Sequence, residues 1–352
     1  MKDALKQLSA EINSLIAGDS FPEQIQPPFL RDAVRDYPMR GGKRLRPAIA
    51  VWSCGLFGGD VRRAYPAAAA IEIFHNWTLV HDDIIDDDDV RRGRPTTHCS
   101  LAAHAEKNHN CDSAGFGRNF AILAGDLQQA WAADMLLKSV DRGVSPELTL
   151  ALARRLYEQA AREVISGEAL DVEQSVRELK TISSAEVERM LCLKTSSLLN
   201  FAAKAGAAIA LDDPDFARPE IAAIGEFAAH AGIAFQLRDD WLGIFGDFET
   251  FGKGIGSDLS ARKATVLLLK TLELLPEKQA EELYQMLGRE HYTGEELEKV
   301  RSFMRDSGAE RFVVERAARL TADAREILAN CPDNSFRVLL DQLLAFLVER
   351  DL

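Results

Sequence analysis

The sequence predicts an all-α fold, a single large helical bundle around a central cavity, on three observations. Segment after segment places apolar residues, mostly Ala and Leu, at i, i+3, i+4 and i+7, the period of a helix with one buried face. Hardly any stretch alternates as a strand would. Turn chemistry falls at intervals that leave helix-length segments between. In chain order, the period gives helices over 3–17, 28–37 and 43–57, and the Gly58-Gly59-Asp60 break opens the next over 61–86. Arg92-Gly93-Arg94-Pro95 separates that helix from 99–107 and 116–140, and Gly143 to Pro146 sets the start of 146–171. A helix over 184–210 stops at Asp212-Asp213-Pro214, and one over 218–246 runs to the break between Gly252 and Gly256. Helices over 261–274, 277–288, 293–307, 309–330 and 333–350 complete the chain. No composition shift or linker marks a boundary, so 1–352 reads as one domain.

Composition narrows the function classes. With 42 basic against 55 acidic residues, a formal net charge of −13, the 352-residue chain is a poor match for a nucleic-acid backbone. An anionic ligand would need a local basic cluster. The five cysteines (Cys54, Cys99, Cys111, Cys192, Cys331) are scattered, with no C-x-x-C pair, which suggests neither a disulfide framework nor a zinc site. Met1 to Ala17 lacks the apolar stretch of a signal peptide, and no run approaches the roughly 20 apolar residues of an integral membrane segment. The expectation is a soluble protein of the reducing cytoplasm.

Two acidic clusters break the pattern of an ordinary amphipathic protein. His81-Asp82-Asp83-Ile84-Ile85-Asp86-Asp87-Asp88-Asp89 puts six carboxylates in eight positions at the end of an apolar helix. Like charges at helical spacing repel, and carboxylates at a helix C-terminus oppose the macrodipole, so cations must neutralise them. Asp82 and Asp86, at i and i+4, share a face, and hard oxygen ligands suit Mg²⁺ better than zinc. A second pair, Asp239-Asp240, lies 157 residues beyond Asp82 in another apolar helix, with Gln236 one turn earlier. Two such helices suggest shared metal ions whose shells phosphate oxygens complete, and hence a diphosphate ligand. Three basic blocks could hold it: Gly41-Gly42-Lys43-Arg44-Leu45-Arg46-Pro47, Arg91-Arg92-Gly93, and Lys253-Gly254-Ile255-Gly256 with Arg262-Lys263.

Together these residues resemble the trans-isoprenyl diphosphate synthases, or polyprenyl synthetases, from Gly41 to about Lys270. Leu79 to Asp86, continuing to Arg91-Arg92-Gly93-Arg94-Pro95-Thr96, is similar to that family's first aspartate-rich motif. Phe235-Gln236 with Asp239-Asp240, then Gly246-Asp247 and Gly252-Lys253, is similar to the second, while Gly41 to Pro47 and Lys194-Thr195 resemble two further signatures. The resemblance implies an isoprenoid-synthase fold, a homodimer, and head-to-tail condensation of isopentenyl diphosphate with allylic diphosphates (dimethylallyl, geranyl, farnesyl). It implies that Asp82, Asp86 and Asp239 hold Mg²⁺, and that Arg91, Lys194, Lys253 and Lys263 complete the clamp on the allylic diphosphate. Lys43, Arg46, His75 and Arg92 would bind isopentenyl diphosphate. Thr195, Gln236 and the Lys194 carbonyl would stabilise the developing cation, and the departing diphosphate would serve as base.

Two positions depart from the family pattern: Gly243 stands where a third Asp is common, leaving water to fill the gap, and Gly167-Glu168 stands where Gly-Gln is common. A class I terpene cyclase would be expected to replace Asp239-Asp240 with an Asn/Ser/Glu site and to lack the Lys43/Arg46 pocket. A non-catalytic subunit of a heteromeric synthase would lose one aspartate motif. Phe74, Trp77 and Thr78, eight, five and four residues before Asp82, would form the floor under a growing chain. By resemblance, an aromatic at position 77 goes with short products, geranylgeranyl first and farnesyl second.

Overall fold

The computed structural model describes residues 1–246 and 256–348. The sequence-predicted helical class holds: one two-stranded ribbon, β1 (Val90–Arg91) and β2 (Arg94–Pro95), is the only sheet among the described residues. The helices are α1 (Lys2–Ala17), α2 (Pro28–Met39), α3 (Leu45–Leu56), α4 (Tyr65–Ile85), α5 (Thr97–Asn108), α6 (Ser113–Leu137), α7 (Pro146–Arg154), α8 (Ala161–Val176) and α9 (Ser184–Leu191). They continue with α10 (Ser197–Leu211), α11 (Pro219–Phe245), α12 (Ser257–Ser260), α13 (Val266–Leu274), α14 (Glu277–Met286), α15 (Gly294–Asp306), α16 (Ala309–Ala329) and α17 (Ser335–Val348).

The chain forms two compact units. The first comprises Met1–Glu158, Phe201–Ala222 and Pro332–Leu339; the second comprises Gln159–Asn200, Ala223–Cys331 and the chain from Leu340 on. At 158/159, 200/201, 222/223 and 339/340 the boundary falls within helical backbone, so no linker composition could announce it.

Several boundaries differ from the periodicity, each for a local reason. Residues 61–64 form a 3₁₀ turn capped by Asp60, and Pro66 sits in the first turn of α4, where its missing N–H costs nothing. Asp112 caps α6 through a bond from Gly115 N (3.1 Å), so α6 starts earlier than residue 116. Thr265 caps α13 (Leu268 N to Oγ1, 3.2 Å), delaying it to Val266. The expected helices 146–171 and 184–210 each contain a π-helical segment, Arg155–Ala160 and Cys192–Ser196. Apolar periodicity does not distinguish one inserted residue from continuous helix, and π segments often mark functional positions.

In the first unit α4 packs on α6, and Ala67 to Ala70 are all buried, which lets neighbouring backbones approach. The closest approach is at Gly206, where a Cβ would lie 1.9 Å from Ala50 O. A buried guanidinium binds four pieces of this unit together. Arg44, at φ 50° just before α3, donates to Asn13 Oδ1 on α1 (2.8 Å), to the Pro38 carbonyl on α2 and to Glu72 on α4. Arg44 is 2% exposed and Glu72 4%. The second unit is built around α13, whose Val266, Leu267, Leu268, Leu269 and Thr271 are buried; Val187, Leu237, Leu283, Val300 and Val313 share its core. Capping boxes at Ser183/Glu186 and Thr293/Glu296 start α9 and α15.

Removing one partner of the Arg44–Glu72 pair leaves a buried charge with no counter-charge. Glu72→Ala should therefore cost about 3–5 kcal/mol in denaturant unfolding, and adding Arg44→Met should recover a large part of that loss. A loss below about 1 kcal/mol would contradict the reading.

Candidate active site

The first aspartate cluster ends α4. Asp86 N donates to Asp82 O (2.8 Å), so the two carboxylates stay one turn apart, Asp82 half-buried and Asp86 exposed. Asp83 is wholly buried and accepts bonds from the Tyr37 hydroxyl and from Arg91 Nε. Burial raises the Asp83 carboxyl above its ordinary range although Tyr37 and Arg91 oppose the shift. Burial, then the bond to Asp83, pushes the Tyr37 hydroxyl well above its own range. Arg91 also reaches Asp82 Oδ2 (3.0 Å) and Asp88 Oδ2 (3.6 Å). Arg91 thus supplies the acidic cluster with an internal cation.

Arg91 gets there by turn geometry. Val90 pairs with Pro95 and Arg91 with Arg94, and the two turn residues, Arg92 and Gly93, have φ of 55° and 72°. That is the double positive-φ turn that matches strand twist in a two-residue hairpin. It aims Arg91 back at α4 and sends Arg92 to the Gly41 carbonyl.

The charges that act most on His75 are all positive. Its imidazole is held well below its ordinary pKa, by burial first and then by Arg46, Arg92, Arg91 and Arg44. Burial, opposed by Glu72 and assisted by Arg92, also lowers Arg46, whose Nε is buried with no hydrogen-bond partner. Burial likewise lowers Arg92. Glu72, the acid that acts on both, is already bonded to Arg44. Crowded guanidiniums and a neutral imidazole constitute a receptor for an anion. Lys43 lies exposed beside this group in sequence.

The second unit holds the remaining predicted residues. Lys194 and Thr195 stand in the π segment Cys192–Ser196, against which α8 fits only because residue 167 is glycine: a Cβ there would lie 2.3 Å from Lys194 N. Lys194 Nζ pairs with Glu168 (2.8 Å) and Asp171 (2.7 Å), so the departure at Glu168 gives this lysine a second carboxylate. Gln236 Nε2 donates to Thr195 Oγ1 (3.0 Å). Asp239 and Asp240 follow on α11. Asp240 is pushed up to about 7 by burial, then by Asp258, against the pull of Lys263, with Asp239 adding to the rise. Burial works against the Lys263 ammonium, yet Asp258, Asp171 and Asp240 outweigh it and raise its pKa.

Asp258 was not singled out from sequence. Gly256 N bonds Gly243 O (3.0 Å), and a Cβ at Gly243 would lie 3.4 Å from Asp258 Oδ2. A carboxylate from α12 therefore borders the place left by the missing third aspartate, which the sequence left to water. The available signal was its position five residues before Lys263. Lys253 lies outside the described residues.

Phe74 and Trp77 are buried at 0% and 6% exposure with ring centroids 4.8 Å apart, edge to face, and Tyr157 lies 6.2 Å from Phe74. Trp77 Nε1 is buried without a partner. Thr78 is half-buried and its hydroxyl turns back to the His75 carbonyl (2.7 Å).

Comparison with known proteins defines the class these features belong to. The polyprenyl synthetase family model matches residues 27–304. A geranylgeranyl diphosphate synthase of Sulfolobus acidocaldarius is 37% identical over 287 residues, 81% of this chain and 78% of that protein. The crystal structure of a geranylgeranyl pyrophosphate synthetase from Pyrococcus horikoshii superposes with a TM-score of 0.85 at 30% identity over 99% of both chains. A geranylgeranyl pyrophosphate synthase from Corynebacterium glutamicum, complexed with isoprenyl diphosphate and magnesium, gives 0.83 at 30% identity, again over 99% of both chains. The chain belongs to the polyprenyl synthetase family and is a short-chain prenyltransferase. A divalent metal is a companion of this fold.

One consequence of the charge around His75 is directly measurable. Its folded pKa is depressed, so the imidazole should remain neutral through the pH range in which an ordinary histidine gains its proton. The unfolded chain binds that proton more readily, so this group's contribution to stability falls as pH drops below about 6.5. A ¹H–¹⁵N titration assigned with His75→Gln checks it, and a normal titration of His75 would refute it.

Proposed function

We propose that the protein condenses isopentenyl diphosphate with allylic diphosphates, using Mg²⁺, to make geranylgeranyl diphosphate first and farnesyl diphosphate second. The observation that carries this reading is the Arg46, Arg92 and His75 group, a cationic receptor whose nearby acid is already spent on Arg44. Such a receptor suits a second diphosphate that brings no metal, which a terpene cyclase would not need.

The donor chemistry fits the metal. Asp82, Asp86 and Asp239 offer hard carboxylate oxygens, and burial first, then Asp258, raises the pKa of the neighbouring Asp240. When bound, Mg²⁺ supplies Lewis acidity toward the leaving diphosphate. The chain's own residues do the rest. Lys194 and Lys263 place ammonium charge near the carboxylates of the second unit, and Lys253 would join them by resemblance. Lys43, Arg46, His75 and Arg92 fix the isopentenyl diphosphate, His75 as a neutral hydrogen-bonding group. As the allylic C–O bond breaks, the Thr195 hydroxyl oxygen and the Gln236 amide oxygen offer dipoles to the positive carbon. The double bond of isopentenyl diphosphate then supplies the electrons of the new C–C bond. The proton lost in restoring a double bond goes to the departed diphosphate. The protein would act as a cytoplasmic homodimer; Ile122, Leu123 and Leu137, exposed along α6, support an apolar face for a second copy.

With purified enzyme, excess chelator should abolish turnover and Mg²⁺ should restore it. Asp82→Ala and Asp239→Ala should each lower kcat about 100-fold or more. Full activity in chelator, or in either variant, would refute the assignment.

Trp77 and Phe74 would form the floor that stops chain growth. Trp77→Ala should then shift dephosphorylated products, read by mass spectrometry, toward longer prenyl alcohols while the first condensation stays largely intact. Unchanged product length with a loss of about 3–5 kcal/mol in stability would make the indole core packing only.

A further inference from the structure

The hairpin that delivers Arg91 also gathers three side chains that the condensation does not use. Thr96 N bonds the Asp89 carbonyl (2.9 Å), closing the ribbon and setting Asp89 beside the first turn of α5, which carries His98 and Cys99. One ligand atom from each of Asp89, His98 and Cys99 lies within 4.8 Å of the other two, the only such mixed set among the described residues. We propose that these three residues bind a thiophilic divalent cation, zinc above all, at a site separate from the carboxylates of the two aspartate motifs.

The donor set is what distinguishes it. Carboxylates and water suit magnesium, whereas a thiol, an imidazole and one carboxylate are the ligands of zinc. The Cys99 thiol now donates to Asp89 Oδ1 (3.3 Å), which occupies both ligands with one proton. Cation binding replaces it: the S–H proton leaves to solvent and a sulfur–metal bond forms. Thr96 Oγ1 lies 3.4 Å from His98 Nδ1 and fixes the ring from outside, as partners of ligating histidines do. Metal–ligand lengths of about 2.0–2.3 Å place tetrahedral donors roughly 3.3–3.7 Å apart, so the set must close by about 1 Å. Asp89 is exposed and the other two half-buried, so all three have room to turn. The fourth position falls to water or to Asp87. A bound ion would tie both ends of the ribbon that carries Arg91 and Arg92.

Cobalt reports thiolate ligation by an intense near-ultraviolet charge-transfer band that oxygen ligands do not give. Titrating the full-length protein with Co²⁺, under excess Mg²⁺ to fill the carboxylate sites, should produce this band at one equivalent per chain, and Zn²⁺ should abolish it. Cys99→Ser should remove the band and weaken Zn²⁺ binding, measured against a chromophoric chelator, by about 100-fold or more, beyond what loss of an outer partner costs. Asp89→Asn, at an exposed position, should weaken binding without disturbing the fold. Cys111→Ser, changing the exposed thiol, should leave both readouts unchanged. No band in the unaltered protein, a band surviving Cys99→Ser, full affinity in Asp89→Asn, or loss of the band in Cys111→Ser would each overturn the proposal, the last by showing an adventitious ion on Cys111.

Discussion

Repulsion between like charges held on rigid helices is the constraint from which the rest of this protein follows. Asp82, Asp83 and Asp86 cannot separate because α4 fixes their spacing, and Arg46, Arg92 and Arg91 cannot separate from His75 because α3, α4 and the hairpin fix theirs. A flexible chain would relax both groups into water. Here each keeps its charge density by packing: buried alanines on α4, the buried Arg44–Glu72 pair and the double positive-φ turn at Arg92-Gly93. The field such groups produce strengthens as water is excluded, which is what a site for diphosphates requires.

The internal cation Arg91 tempers that repulsion without removing it. Its Nε is committed to the buried Asp83, so one carboxylate of the first motif has a structural partner and is a poor metal ligand. Asp82 and Asp86 remain at the accessible end, with Arg91 Nη2 reaching Asp82 and Asp88. Under the proposed function, a metal held by Asp82 would free Arg91 Nη2 for phosphate oxygens. Its guanidinium presents several donors in a fixed fork, so it can keep Asp83 while doing so.

Most of the fold was legible because helical periodicity integrates over many residues. The two aspartate pairs, Asp82/Asp86 and Asp239/Asp240, could be singled out because paired carboxylates in apolar helices have few physical explanations. What escaped shares one property: it depends on a contact distant in sequence or on a single inserted residue. The π segments at 155–160 and 192–196 keep the apolar pattern while shifting register, so Lys194 stood out by resemblance alone and its π backbone not at all. Tyr37 lies 46 residues before its partner Asp83, and nothing in its own helix announces the bond. Asp258 borders the open side of Gly243 only because the backbone bond from Gly256 N to Gly243 O brings α12 there. The two units interleave along the chain with four of their five boundaries inside helical backbone, where no linker composition could announce them.

Cysteine reading shows the same limit from the other side. Sequence spacing argued against a zinc site because no C-x-x-C pair exists, and that reasoning is sound for structural sites built from local pairs. A hairpin changes the question, since it makes residues nine and ten positions apart into neighbours: Asp89 meets His98 and Cys99 because the Arg92-Gly93 turn folds the ribbon between them. The same turn thus brings Arg91 to the hard carboxylates of α4 and Asp89 to a soft thiol on α5. Softness then sorts the ions. Magnesium gains nothing from sulfur and dehydrates reluctantly, while zinc gains most from the thiolate, so the mixed set discriminates against magnesium by chemistry more than by size.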